Sequence, residues 1–123
     1  MKRVLLDTNF IMSCARQKID LFRELPLMGL EILIPKQVSD ELKLLSKSKE
    51  SANVREDADL ALKLMNRNKF TLMKLRRNDT DRGIAEFADS NKDVIIATLD
   101  KELQNKIRNQ KLIIRGLKTL EII

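Results

Sequence analysis

Arg3-Val4-Leu5-Leu6-Asp7-Thr8-Asn9 is the stretch on which the fold turns. Its apolar run lacks the polar alternation of a strand with one wet face, so it predicts a strand buried on both sides. The run ends on a carboxylate. Asn9, a good N-cap, then opens a helix carrying Ile11, Met12 and Ala15. Val94-Ile95-Ile96-Ala97-Thr98-Leu99-Asp100 repeats the design far downstream, again an apolar run closed by an acid.

The remaining elements fall between and after these two runs. Glu31 to Ile34, closed by Pro35, reads as a second strand, Phe70 to Met73 as a third and Leu112 to Ile114 as a fifth, with a last short one in Leu120 to Ile123. Val38, Leu42 and Leu45 form the apolar stripe of an amphipathic helix starting at Lys36, and Asn53 to Asn66 continues as another. A short helix spans Asp20 to Leu25, Thr80 caps one bearing Ile84, Ala85 and Ala88, and Lys101 to Ile107 is short and basic. Strands alternating with helices predict an α/β fold, a central parallel sheet of about five strands with helices on both faces. With only three glycines and two prolines there is no linker, and residues 1–123 read as one domain.

Composition removes several chemistries. There is no histidine, which excludes histidine triads, histidine zinc sites and imidazole bases. Any metal must be held by oxygen. The single cysteine, Cys14, allows no internal disulfide and suits a reducing compartment. No apolar run approaches the ~18 residues of a membrane span, and no leader is recognisable, so the expectation is a cytoplasmic protein with no membrane partner.

In an open parallel sheet, ligands bind beyond the carboxyl ends of the strands. Asp7 and Asp100 follow the first and fourth strands directly. Asp81 occupies the first turn of its helix, on the stripe of Ile84, Ala85 and Ala88, at the end nearest the same rim. Glu41 lies early in the helix that leaves strand two. Taken singly, each has an ordinary explanation: Asp7 and Asp100 as helix starts, Asp81 as a dipole partner and Glu41 as a solvated residue. Taken together, four like charges on one rim would raise each other's pKa values unless a cation neutralised them. An oxygen-only set suits Mg²⁺ or Mn²⁺.

Charge is uneven. Residues 1–60 carry ten basic and ten acidic side chains, whereas residues 61–123 carry fourteen basic and eight acidic and so hold the whole net +6. The bases cluster in Arg67, Lys69, Lys74, Arg76 and Arg77, and again from Lys101 to Lys118, the footprint of a polyanion binder. A solvated lysine-rich surface is the plain alternative. Without Trp or Tyr there is no stacking platform, so nucleic-acid binding would rest on phosphate and shape.

Leu5-Leu6-Asp7-Thr8-Asn9-Phe10-Ile11 resembles the first motif of the PIN-domain ribonucleases. Val38-Ser39-Asp40-Glu41-Leu42 resembles the second, Asp81 with Ile84 and Ala88 the third, and Ala97-Thr98-Leu99-Asp100 the fourth. Four motifs in order cover nearly the whole chain. Asp7 to Ile11 and the basic stretch from Asp100 to Arg108 look most like the small-subunit ribosomal RNA-processing endonucleases and their archaeal relatives. The chain lacks the flanking extensions of the eukaryotic enzymes and the cysteines of the zinc-ribbon branch.

The resemblance implies a PIN-like fold and a metal-dependent endoribonuclease holding one or two Mg²⁺ or Mn²⁺ ions. Asp7, Asp81 and Asp100 would be ligands, and Glu41 a ligand or the group orienting the water. Thr8, Asn9 and Thr98 would hydrogen-bond the carboxylates. Asp79 is the reserve for Asp81. Arg76, Arg77, Lys101, Lys106 and Arg108 would grip RNA phosphates flanking the cut. A toxin ribonuclease of a toxin–antitoxin pair shares this core, so the partner would be a pre-ribosome or an antitoxin protein, with a homodimer as the commonest assembly. A non-catalytic RNA-binding or assembly module of the same fold is the third reading. A receiver-type phosphoacceptor wants an acidic pair after the first strand and an Asp after the third. Here Asp7 stands alone and Met73-Lys74-Leu75 follows the third strand. A haloacid-dehalogenase-type phosphatase would want an Asp where Asn9 stands.

Overall fold

The computed structural model describes all 123 residues, Met1–Ile123. The order of elements is β1 (Lys2–Leu6), α1 (Thr8–Gln17), α2 (Leu21–Leu27), β2 (Leu30–Pro35), α3 (Lys36–Leu45), α4 (Ala52–Asn66), β3 (Thr71–Met73), α5 (Thr80–Ser90), β4 (Ile95–Ala97), α6 (Lys101–Lys106), β5 (Lys111–Arg115) and β6 (Thr119–Ile122). One sheet of six strands runs in the order β3-β2-β1-β4-β5-β6. Neighbours are parallel from β3 through β5, and β6 alone is antiparallel, against β5. The sheet of about five strands is present, and the last short strand read at Leu120 to Ile123 joins it as the sixth, β6. It returns through a turn at Gly116 (φ 57) and Lys118 (φ 63), too tight for anything but a hairpin.

The absence of alternation in β1 has the meaning read from it. Val4 and Leu6 point into a large apolar cluster beneath α1 to α4, and Leu5 into a smaller one beneath α5 and α6. Ile95 and Ala97 of β4 face the first cluster and Ile96 the second. Three layers result, helix on sheet on helix. No helix is long and apolar enough to cross a membrane.

From β1 the chain builds outward to β2 and β3, then crosses back to place β4 on the other side of β1. The direction of winding reverses between β1 and β4, which opens a crevice at their carboxyl ends. The ladder reaches past β1 there, with the Asp7 N–H donating to the Ala97 carbonyl at 3.0 Å.

Two helix starts differ from the sequence reading. Asp7, not Asn9, caps α1, because its carboxylate accepts the Thr8 N–H. Asp79, not Thr80, caps α5, accepting the Arg82 N–H. In both places an Asp stands one or two residues upstream of the other candidate and takes the unpaired amide first. What holds α5 down is burial. Ile84 is fully buried, worth roughly 1.5–3 kcal/mol, whereas the exposed Arg82–Asp79 pair at 3.8 Å belongs to a class worth about 0–1 kcal/mol.

Candidate active site

Asp7 leaves β1 with its side chain buried, 5% exposed, at the crevice. One carboxylate oxygen accepts the Thr8 N–H at 2.8 Å and the other accepts the Thr98 hydroxyl at 2.8 Å. The same Thr98 oxygen accepts the Asp100 N–H at 3.2 Å. Thr98, itself buried, thus ties the acid after β1 to the acid after β4. The Thr8 hydroxyl donates to Glu41, bringing α3 to the same rim. Asp100 caps α6, one oxygen accepting the N–H groups of Glu102 (2.9 Å) and Leu103 (3.3 Å). Gln104 closes the loop by donating to the Thr98 carbonyl at 2.7 Å.

Asp81 differs from its reading. It is exposed rather than part of the buried stripe, which consists of Gly83, Ile84 and Ala88. Helical Cβ atoms tilt toward the N-terminus, so a first-turn side chain leaves the core and enters the crevice. There it lines a cleft of about 210 Å³ between α5 and α6, together with Asp79, Asp100, Glu102 and Lys106. Asn9, expected to support the carboxylates, is exposed and bonds none of them. It lines a second groove with Met12, Leu99 and Asp100, and Asp100 is shared between that groove and the acidic cleft.

The electrostatics follow from this crowding. Burial pushes the Asp7 carboxyl above its ordinary value, opposed by its bonds from Thr98 and Thr8 and reinforced by Asp81 and Glu41. The cleft wall strips water from Asp81 and raises it too, with further pushes from Asp100, Asp79 and Glu41, and only Lys106 pulling it down. Asp81 is thus within electrostatic reach of four other acids, Asp7, Glu41, Asp79 and Asp100. As they stand, no three of them converge on one point closely enough to grip an ion. Cys14 has no part in this. Burial and Glu24 push its thiol up to about 12, and it is a core residue.

The basic residues divide around α5. Arg76 lines a pocket on the β3 side, and Arg77 on that side is paired with Glu86 at 2.7 Å. Lys106 and Arg108 lie on the α6 side, with Lys106 held 3.4 Å from Glu102. Lys101 is exposed at the start of α6. α5 stands between the two groups, with Asp79 and Asp81 at its start.

Sequence reasoning missed the braces. Gln37 donates to the carbonyls of Leu75 (3.0 Å) and Arg77 (3.2 Å) and accepts the Leu75 N–H (3.2 Å), clamping the loop that carries Arg76 and Arg77. Gly83 brings α5 against that loop, since an added Cβ would lie 3.0 Å from Leu75 and 3.3 Å from the Arg77 carbonyl. Nothing in the local sequence marks either residue, because the partners lie far along the chain.

A carboxylate rim at the reversal point of a parallel sheet, tied together by threonines, offers only oxygen donors, and without histidine it has no imidazole for a nucleophilic triad. The PIN like domain family matches this chain over residues 4–119, and the protein belongs to that family. Among relatives, the chain is 30% identical over 128 residues to Ribonuclease VapC4 of Methanocaldococcus jannaschii, covering 99% of this chain and 97% of that one. The solved PIN domain endonuclease Utp24 superposes with a TM-score of 0.75 at 27% identity, covering 98% of this chain and 90% of that one.

Proposed function

We propose that this protein is a metal-dependent endoribonuclease that cuts RNA phosphodiester bonds at the β1–β4 crevice. The observation that carries the reading is that four separate elements bring Asp7, Glu41, Asp81 and Asp100 to one rim, where burial raises Asp7 and Asp81, reinforced at Asp7 by Asp81 and Glu41 and at Asp81 by Asp100, Asp79 and Glu41. The donor set is all oxygen and electrostatically short of a cation, which fits Mg²⁺ or Mn²⁺. Asp7, Asp81 and Asp100 would hold the ion, with Glu41 as a further ligand or as the group that orients the attacking water. When bound, such an ion lowers the pKa of a water and offsets charge developing on phosphate.

The chain's own residues supply the rest. Thr98 and Thr8 hold the Asp7 carboxylate in one orientation, and Thr8 also orients Glu41. Asp100 spends one oxygen on capping α6, which leaves the other for the site. Arg76 and Arg77 on one flank and Lys101, Lys106 and Arg108 on the other would hold phosphates either side of the cut. An RNA strand lying along the α6 side of α5 would run past Asp81 at the helix start, with a phosphate at the acidic cleft.

The test is cleavage of single-stranded and structured RNA with Mg²⁺ or Mn²⁺. Activity should stop with EDTA and fall at least 100-fold in Asp81→Asn, more than the ~10–100-fold typical of losing a residue that merely supports a ligand. Salt-sensitive RNA binding without any metal-dependent cleavage would leave a binding module instead. Two roles remain compatible with the relatives, ribosomal RNA processing in a pre-ribosome and a toxin ribonuclease held by an antitoxin. Cleavage confined to a ribosomal precursor supports the first, and cleavage of mature cellular RNA the second.

A further inference from the structure

The cleft that holds Asp81 and Asp100 continues along the molecule into a second, smaller hollow of about 70 Å³. The two share Ala85 and Lys106 as walls. The character of the groove inverts along its length. Its upper end is lined by four carboxylates, Asp79, Asp81, Asp100 and Glu102, against Arg82, and its lower end by Lys92, Lys106 and Arg108 against one carboxylate, Asp89. None of the seven ion pairs of the molecule engages Lys92 or Arg108, so both cations are free.

The floor of the lower hollow is built. Asn109 is 4% exposed and gives both amide protons to carbonyls of the neighbouring turn, Asn91 at 2.9 Å and Val94 at 2.8 Å. Lys111 reaches back to the carbonyls of Ile107 (3.3 Å) and Asn109 (2.9 Å). The Asn91 side chain donates to Phe87 at the end of α5 (2.9 Å). These bonds lock the turn bearing Lys92 against the loop bearing Arg108. A buried asparagine with both donors satisfied by a neighbouring turn fixes a distance, and here that distance separates two unpaired cations.

From this arrangement we infer that Lys92, Lys106 and Arg108 form a subsite for a single RNA phosphate, lying a nucleotide or two along the strand from the phosphate at the acidic cleft. Rise along α5 sets the spacing, since Asp81 to Asp89 spans eight residues, about 12 Å. Asn109 is a positioning residue for this subsite. The inference deepens the nuclease reading and rests on it for the identity of the strand. It also adds Lys92, which no local charge cluster marks, and separates this flank from Arg76 and Arg77 across α5.

The experiment measures binding apart from cleavage. A fluorescein-labelled single-stranded RNA is titrated in EDTA across a salt series, with wild type, Lys92→Gln/Arg108→Gln, Asn109→Ala and, as a control at an exposed position of α2 over the other face of the sheet, Arg23→Gln. The double variant should bind about tenfold more weakly, as for loss of charge-assisted hydrogen bonds, with Tm unchanged. Its log K against log salt slope should flatten by ~0.7, the loss of one phosphate on a single strand. Arg23→Gln should match wild type in both. A scan of uncharged methylphosphonates through the RNA should then show one position whose substitution weakens wild type and not the double variant. Asn109→Ala should lose that positional effect while keeping part of the slope. A double variant with the wild-type slope, or a methylphosphonate cost that is the same at every position in both proteins, would overturn the subsite. A wild type that does not bind RNA would sink subsite and nuclease together. A wild type that shows the positional effect yet never cleaves with Mn²⁺ would keep the subsite and remove the nuclease.

Discussion

At Asp7 the fold and the site make opposite demands on one carboxyl group. Folding uses it twice, as the cap of α1 and as the partner of Thr98, and both bonds favour the ionised form. Burial and the acids opposite favour the neutral form and prevail, so the folded value is raised. A folded state that binds the proton more tightly than the unfolded one loses stability as pH rises from the ordinary carboxylate value through the raised folded value. Without metal, Asp7→Asn should therefore melt a few degrees above wild type at neutral pH, and the gap should shrink as pH falls toward 4. The asparagine keeps an acceptor for Thr8, and the Thr98 hydroxyl can turn to accept from its amide, so the fold has no reason to suffer. Thermal melts in EDTA across that pH range decide it. A variant that melts below wild type at neutral pH would mean that the two bonds outweigh the crowding.

Among the elements, the loop after β3 shows what holds the basic flank in place. Leu75 is buried at 3% exposure and its backbone relies on Gln37 for both donor and acceptor. Removing that side chain in Gln37→Ala strands both groups, at ~1–3 kcal/mol for each buried polar group left unpaired. The loop should then open locally before the protein unfolds, and trypsin should cut after Arg76 and Arg77 much faster than in wild type. Unchanged tryptic rates would show that contact with Gly83 and α5 suffices. The same region marks the limit of what the sequence discloses. β1, β2 and β4 were legible because a strand buried on both faces writes itself as an unbroken apolar run. Asp7 and Asp100 were legible because they end two of those runs. Gln37, Asn109 and Lys92 were not, because each matters through a partner in another element and carries no local pattern. The cap of α5 was misread for a different reason, since Asp79 and Thr80 are both good caps and only the backbone decides between them.

Across the whole molecule the two faces of the sheet are unequal. The cluster under α1 to α4 holds 22 buried residues, and the one under α5 and α6 only nine. Local opening free energy follows buried contacts, so the thinner layer should open first. That layer carries Asp79 and Asp81 at the start of α5 and Asp100 at the start of α6, and the two helices meet across the acidic cleft. Like charge on the two helix starts opposes their close approach. A cation bound there should therefore tighten the weak layer more than the strong one. By mass action a ligand at 100 times its Kd stabilises the form that binds it by ~2.7 kcal/mol, enough to slow exchange through that opening about 100-fold. Hydrogen exchange should show amides of α5 and α6 exchanging faster than those of α1, α3 and α4 without metal. Saturating Mn²⁺ should slow the first group strongly and leave the second little changed, and Asp81→Asn should lose most of the effect. Equal slowing on both faces would mean that the metal acts on global unfolding alone, and no slowing in α5 would place its site away from Asp81.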